Sequence, residues 1–362
     1  MDESRLRPLL RVLLAPGVTS AAAARLLRAY GDDPERVLAA GREAASIPGV
    51  GPAVAAALAS GAASPADAAG EAARARDLGA ALVGRDDDGY PRNLRQSYDP
   101  PPLLWVRGAW TPADDLSVAV VGARRASPYG LVQAGRFARA FVRAGVSVAS
   151  GAARGVDTAA HRAALEEPEG RTVAVLGSGH ARPYPPENAR LLDLIAARGA
   201  VLSEFPLDAP PLPHHFPLRN RVIAGVSMAT LVVEAGEKSG SLVTARICQD
   251  VERPVFAVPG RVDAPGSRGV HRLIRENFAA LAESPEDVLE ALEIAPAEAA
   301  ATAAADGPAG RVLAALDGAE ALDADEVSRA AGLPVGEARA LLVDLELDGA
   351  VLGLPGGRWC RK

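Results

Sequence analysis

The sequence predicts an α/β fold: a parallel sheet covered by helices on both faces, with a helical module before it and a winged-helix module after it. Three observations predict it. From Leu116 onward, short and wholly apolar runs alternate with stretches of helical length. Before that point the chain is Ala/Leu-rich and carries two similar helical units punctuated by Pro-Gly. After a low-complexity stretch, the closing segment reads as three helices and a strand pair. The expected organisation is a helical module at 1–65, a connector at 66–115, the α/β domain at 116–294, a flexible linker at 295–310 and the winged-helix module at 311–362.

In the helical module, Leu14-Ala15-Pro16-Gly17-Val18 leads into Ala21–Leu27, and Ile47-Pro48-Gly49-Val50-Gly51 leads into Pro52–Leu58. Each unit is a helix end, a turn and a new helix, the punctuation of a helix-hairpin-helix. Such a turn can offer backbone N–H groups to a phosphate, or it can simply pack. Neither turn carries Lys or Arg, and Thr19 stands where the first would have its second glycine.

In the α/β domain the expected strands are Ser117–Val121, Val146–Ala149, Thr172–Leu176, Ala200–Leu202, Ala229–Val233 and Val255–Val258. Helices are expected at Leu131–Ala144, Thr158–Leu165, Pro186–Arg198 and Leu242–Val251. Strands apolar on both faces imply a buried parallel sheet, and ligands of such sheets bind beyond the strands' carboxyl ends. Ala295–Gly310 has no core-forming residues and reads as a linker. In the closing module the third helix, Val335–Asp348, holds Glu337, Asp344, Glu346 and Asp348 against Arg339 alone. That face repels a polyanion, so a protein-binding or structural role is expected of it.

The 362 residues carry a net charge of −6, yet Leu116–Val262 holds 17 Lys and Arg against 12 Asp and Glu. A basic centre thus lies between acidic flanks. Two distant cysteines, Cys248 and Cys360, exclude a disulfide scaffold and a Cys-rich zinc site and suit a reducing cytoplasm. No secretory pattern opens the chain and no run of 18 apolar residues follows, so a cytoplasmic protein away from membranes is expected.

The strand-end loops hold the chemistry. After the first strand, Gly122-Ala123-Arg124-Arg125 precedes a helix opened by Ser127-Pro128; a close backbone approach beside two guanidinium groups suits a phosphate diester, or else these are solvated arginines. The second loop runs Ser150-Gly151-Ala152-Ala153-Arg154, with Asp157 and His161 at i,i+4 able to pair. The third is Gly177-Ser178-Gly179-His180. A Pro-rich span, Pro210 to Arg221, is expected to lack regular hydrogen bonding and to offer His214, His215 and Phe216 for stacking beside Arg219, Asn220 and Arg221. The competing reading places Phe216 in the core and Arg219 and Arg221 in buried ion pairs. Ser239-Gly240-Ser241, opening a helix, forms an oxyanion cradle. A dinucleotide fingerprint, a P-loop lysine pattern, a Gly-x-Ser-x-Gly elbow and a metal-ligand spacing are all absent from the sequence, so no cofactor and no metal are expected.

Together these segments resemble the DNA-processing protein A family. The resemblance runs in order through VAVVGARRASPYG, SGAARGVDTAAHRAAL, VAVLGSGHARPYPPENARLL, SEFP, HHFPLRNRVIAGVS, VVEAGEKSGSLVTA, RPVFAVPG and GVHRLI, over about Leu116–Glu290. It implies an extended Rossmann-like core, a SAM-like (helix-hairpin-helix) start and a winged-helix end. It also implies a homodimer that binds single-stranded DNA, protects incoming strands and loads RecA recombinase during natural transformation. On that resemblance the strand is gripped by Gly122 and Arg124 and around Phe216, Arg219, Asn220 and Arg221, with dimer contacts near His271 and Ile274. Two departures stand out: Pro186 and Glu187 replace a lysine-bearing turn of some relatives, and Asn277-Phe278 replaces Gly-Ala. The rival class is a phosphoribohydrolase-like enzyme on a related fold, against which the helix start at Ser239–Thr244 lacks an acidic residue. A third reading makes the acidic C-terminal module a bridge to partners.

Overall fold

The computed structural model describes residues 2–97, 99–294, 307–316, 321–347, 350–354 and 357–361. They fall into two compact units, Met1–Ile294 and Ala295–Lys362. The first opens with α1 (Glu3–Leu14), α2 (Ser20–Ala29), α3 (Pro34–Ala40), α4 (Pro52–Ala59) and α5 (Pro65–Asp77). Then come β1 (Ala80–Gly84), α6 (Arg92–Arg95), β2 (Leu103–Gly108), β3 (Ser117–Val121), α7 (Pro128–Arg143), β4 (Ser147–Ser150), α8 (Val156–Glu166) and β5 (Thr172–Val175). The unit closes with α9 (Ala189–Arg198), β6 (Ala200–Ser203), α10 (His215–Val226), β7 (Ala229–Val232), α11 (Ser241–Asp250), β8 (Val255–Ala257), α12 (Arg268–Arg275), β9 (Ala280–Leu281) and α13 (Pro285–Ala291).

The nine strands form one sheet in the order β1-β2-β6-β5-β4-β3-β7-β8-β9. From β6 through β9 every neighbouring pair is parallel. All of β3 is buried because alternate residues feed two cores. Val118 and Val120 pack with Phe137 and Phe141 of α7 on one face. Ala119 and Val121 share the opposite core with Val222 and Ile223 of α10 and Leu242 of α11. From β3 the chain winds outward through β4, β5 and β6, then returns to β7 on the other side of β3. That reversal opens a crevice at the carboxyl ends of β3 and β7.

The expected connector at 66–115 is corrected: it is part of the sheet. β1 pairs antiparallel with β2, and β2 pairs antiparallel with β6, setting Trp105 opposite Ser203. Trp105 and Leu103 bury their side chains with Leu9, Leu13 and Leu26 of the helical module and Ala68 and Ala75 of α5, so module and sheet share one core. The two helical hairpins also pack on each other. Arg25 of α2 lies so close to Gly49 that a Cβ there would meet its Cζ at 3.0 Å. Thr19 is the N-cap of α2, accepting from the Ala22 amide at 3.1 Å.

The Pro-rich span is corrected too. Regular helix begins at His215, so Phe216, Arg219, Asn220 and Arg221 ride on α10. Pro217 sits in the first turn, where an N–H has no intrahelical partner to lose.

In the second unit, helices Pro308–Ala315, Ala324–Ala331 and Val335–Leu347 enclose Val312, Val327, Ala338 and Leu342. Strand Leu322–Asp323 joins the hairpin Val351–Leu354 and Arg358–Arg361 as a third strand, which completes a winged helix. Most of the expected linker, the hairpin turn at Pro355-Gly356 and Asp348 lie outside the described residues. Among the described residues no helix is long and apolar enough to cross a membrane.

Asp157 and His161 do not pair. The Asp157 carboxylate accepts from the Gly151 and Ala153 amides, both at 3.2 Å, whereas His161 Nδ1 lies 2.7 Å from Thr172 Oγ1. Burial, and secondly the charge of Arg219, hold His161 at about 3, and burial holds His180 at about 4, against an ordinary 6.5. The unfolded chain therefore binds these protons first, and stability falls as pH drops from about 6.5 toward those values. His161→Gln should flatten that loss by up to about 1.4 kcal/mol per pH unit. Urea midpoints of both proteins between pH 7 and pH 4.5 check it; parallel curves would refute it.

Candidate nucleic-acid interface

The crevice at the β3/β7 reversal has a volume of about 880 Å³ and takes residues from five strand-end segments. Gly122 lets the loop after β3 approach α8: a Cβ there would meet Val156 Cγ2 at 2.6 Å and the Glu234 carbonyl oxygen at 3.0 Å. That approach sets the exposed Arg124 and Arg125 at the rim. Across from them Ser239, Gly240 and Ser241 open α11. The two serine hydroxyls bond each other at 2.7 Å, and Asn220 Nδ2 reaches toward the Gly240 carbonyl at 3.5 Å.

Helical geometry sorts the α10 residues. Phe216, Arg219, Asn220 and Ile223 recur at spacings of three and four and all line the crevice. Phe216 lies over Gly177, where a Cβ would sit 2.9 Å from the ring. Its ring carries the Arg124 guanidinium 5.0 Å from the centroid and Tyr184 at 5.6 Å. Arg154 in turn lies 5.7 Å from the Tyr184 ring centroid. A smaller hollow lined by Arg124, Gly151, Ala153, Arg154, Tyr184, Pro185 and Phe216 adjoins the main crevice. The result is one row: Arg124, Phe216, Tyr184, Arg154. Tyr184 is the member that the sequence does not single out, because its Tyr-Pro-Pro-Glu-Asn turn reads only as the start of a helix. Among the described residues, Arg124, Arg125 and Lys238 make no ion pair, so their charges face solvent unopposed.

Other expected members play internal parts. Arg219 is buried: it donates to the Gly151 carbonyl at 2.7 Å and to the Val175 carbonyl, binding α10 to the ends of β4 and β5. Burial lowers its guanidinium to about 10, still charged near neutral pH, with Asp157 raising it. Ser150 is buried as well and donates to the Val120 carbonyl at 2.6 Å. Arg221 is corrected. Five residues beyond Phe216, it faces another side of the helix, pairs with the buried Glu204 carboxylate and donates to the Asp99 carbonyl. His215 also turns inward, stacked on Phe205 with centroids 4.3 Å apart.

Among the described lining residues the one carboxylate is Asp157, already engaged by two amides. Glu234, at the end of the neighbouring strand, accepts from the Ser127 hydroxyl at 2.7 Å and from its amide. Glu237, two residues before Ser239, is exposed and does not line the crevice. Among the described residues no group of three His, Cys, Asp or Glu is placed to hold a metal.

A profile of the family described as DNA recombination-mediator protein A matches residues 81–293, and one described as the DprA winged helix domain matches residues 295–357. The chain belongs to the DNA recombination-mediator protein A family. It is 41% identical over 287 residues to Protein Smf of Escherichia coli strain K12, covering 76% of each chain. It is 42% identical over 207 residues to the DNA processing protein DprA of Streptococcus pneumoniae, covering 57% of this chain and 72% of that one. The X-ray structure of DprA from Streptococcus pneumoniae superposes with a TM-score of 0.67 at 33% identity, over 78% of this chain and 97% of that one. DNA processing protein A from Helicobacter pylori, whose structure is described as giving insight into a unique single-stranded DNA binding mode, superposes with a TM-score of 0.53 at 29% identity, over 59% and 95%. The family profile begins at residue 81, on β1, which agrees with the place of the β1–β2 pair in the sheet.

The different settings of Arg221 and Arg124 give a direct test. Arg221→Ala strands a buried carboxylate and should lower stability by about 3 kcal/mol. Arg124→Ala removes an exposed side chain and should cost under about 0.5 kcal/mol. Chemical denaturation of the two variants measures both; equal losses would refute the assignment.

Proposed function

We propose that this chain binds single-stranded DNA along the row Arg124, Phe216, Tyr184, Arg154, and that it acts by binding rather than by catalysis. As a homodimer, it protects the strand and loads RecA recombinase onto it during natural transformation. The observation that carries the reading is the 5.0 Å approach of Arg124 to Phe216, which puts a cation and a ring on one rim, in line with a second ring and a second arginine. Alternating rings and cations hold a flexible strand without reading its sequence, because every base has a π-face and every link a phosphate. A small anionic metabolite would need one enclosed polar pocket, whereas here two adjoining hollows share Arg124, Tyr184 and Phe216. The single-stranded DNA binding described for the Helicobacter pylori relative supports the same ligand class. Gly122, Gly151, Gly177 and the Ser239-Gly240-Ser241 cradle supply close backbone approach around the row; Arg219 and Ser150 hold its floor.

Support for the dimer comes from the β9 end of the sheet. β9 is an edge strand with Leu281 46% exposed. α12, just before it in the chain, presents half-buried His271 and Ile274. Ile274→Glu should turn a dimer into a monomer of half the mass, read by light scattering; an unchanged mass would refute this interface.

The decisive titration compares single- with double-stranded oligonucleotides across salt. Single strands should bind more tightly, with log K falling linearly in log salt. Arg124→Ala should weaken binding alike for every sequence and reduce the salt slope by about 0.7, one phosphate contact on a single strand. Equal affinity for duplex, or an unchanged slope in the variant, would overturn the proposal.

A further inference from the structure

Arg154 differs from the other rim cations in one respect: it is already neutralised. Its Nε is ion-paired with Glu187, and both side chains are 51% exposed, so the pair stands in solvent at the end of the row. Nη1 of the same guanidinium lies 3.5 Å from the Tyr184 hydroxyl.

The pair is held by a built contact, and is not the chance meeting of two long side chains. Asn188, the residue after Glu187, is buried. Its Nδ2 donates to the Ala152 carbonyl at 2.9 Å and to the Thr158 hydroxyl at 2.8 Å. Those bonds fasten the turn that carries Glu187 to the loop that carries Arg154. Backbone anchoring therefore keeps the two side chains within reach of each other. Yet an exposed pair of this kind is weak, so a stronger anion can displace the carboxylate.

Resting on the single-strand reading above, we propose that Glu187 is an affinity-limiting residue of the strand track: its carboxylate occupies the guanidinium that the next backbone phosphate would use. To reach Arg154, a bound strand must displace Glu187 and lie against its negative charge. The carboxylate thus caps one end of the track and eases release of the strand, whereas Arg124, Arg125 and Lys238 grip without such competition.

The test is a double-mutant cycle on the full chain, with a fluorescent oligothymidylate titrated over a range of salt. Glu187→Gln keeps the side chain's size and removes its charge. It should tighten binding about threefold to tenfold at low salt and steepen the salt slope by about 0.7, as one more phosphate contact requires. Arg154→Ala should weaken binding in both backgrounds, and by a several-fold larger factor in Glu187→Gln than in the parent chain. Additive effects, or a Glu187→Gln variant with unchanged affinity and slope, would overturn this proposal and leave the single-strand reading standing. A parent chain that binds no oligothymidylate at all would remove that reading and this one with it.

Discussion

The site depends on one buried cation. Arg219 has almost no contact with solvent, and its guanidinium joins the Gly151 and Val175 carbonyls while Asp157 lies close enough to favour its charge. A desolvated guanidinium is costly unless its surroundings answer it, and here the answer comes from the ends of two strands and the start of a helix. That requirement fixes α10 against β4 and β5. It thereby sets Phe216, one turn earlier on the same helix face, over Gly177. The row of side chains at the surface is a consequence of a polar contact beneath it.

From that anchor the rim follows. Gly122 allows the first loop to sink against Val156, which carries Arg124 over the Phe216 ring. The Asn188 bonds bring Tyr184 and Glu187 to the other end. Segments far apart in the chain converge because the sheet reverses direction at β3 and β7, leaving their loops without a covering helix. Charge then separates by depth. Arg219 and Arg221, with carbonyl and carboxylate partners, lie inside the wall. On the rim Arg154 is paired with Glu187 and, among the described residues, Arg124, Arg125 and Lys238 make no ion pair.

One departure from the family pattern has a structural account. Asn277 takes φ 54°, the left-handed conformation that a glycine would adopt freely and that asparagine tolerates better than most residues. The chain turns after α12 through this residue, and Phe278 packs half-buried against the core.

Periodicity, read from the residues alone, is enough for the parallel sheet and for the six central strands to within a residue or so at each end. The grouping of Gly122, Arg124 and Phe216 is what the family resemblance implies. These features are local: an apolar run, a glycine before a helix and a ring in a Pro-rich span declare themselves within a few residues. What required tertiary structure was non-local. β1 and β2 read as connector because their pairing depends on the edge of β6, distant in sequence. Arg219 and Arg221 are two positions apart and chemically identical, but a helix turns 100° per residue, so one lies beneath the crevice and the other meets Glu204 elsewhere. Asp157 and His161 had the spacing to pair, and stronger partners on other segments separated them. Sequence named the rings and cations; only packing decided which of them face the crevice.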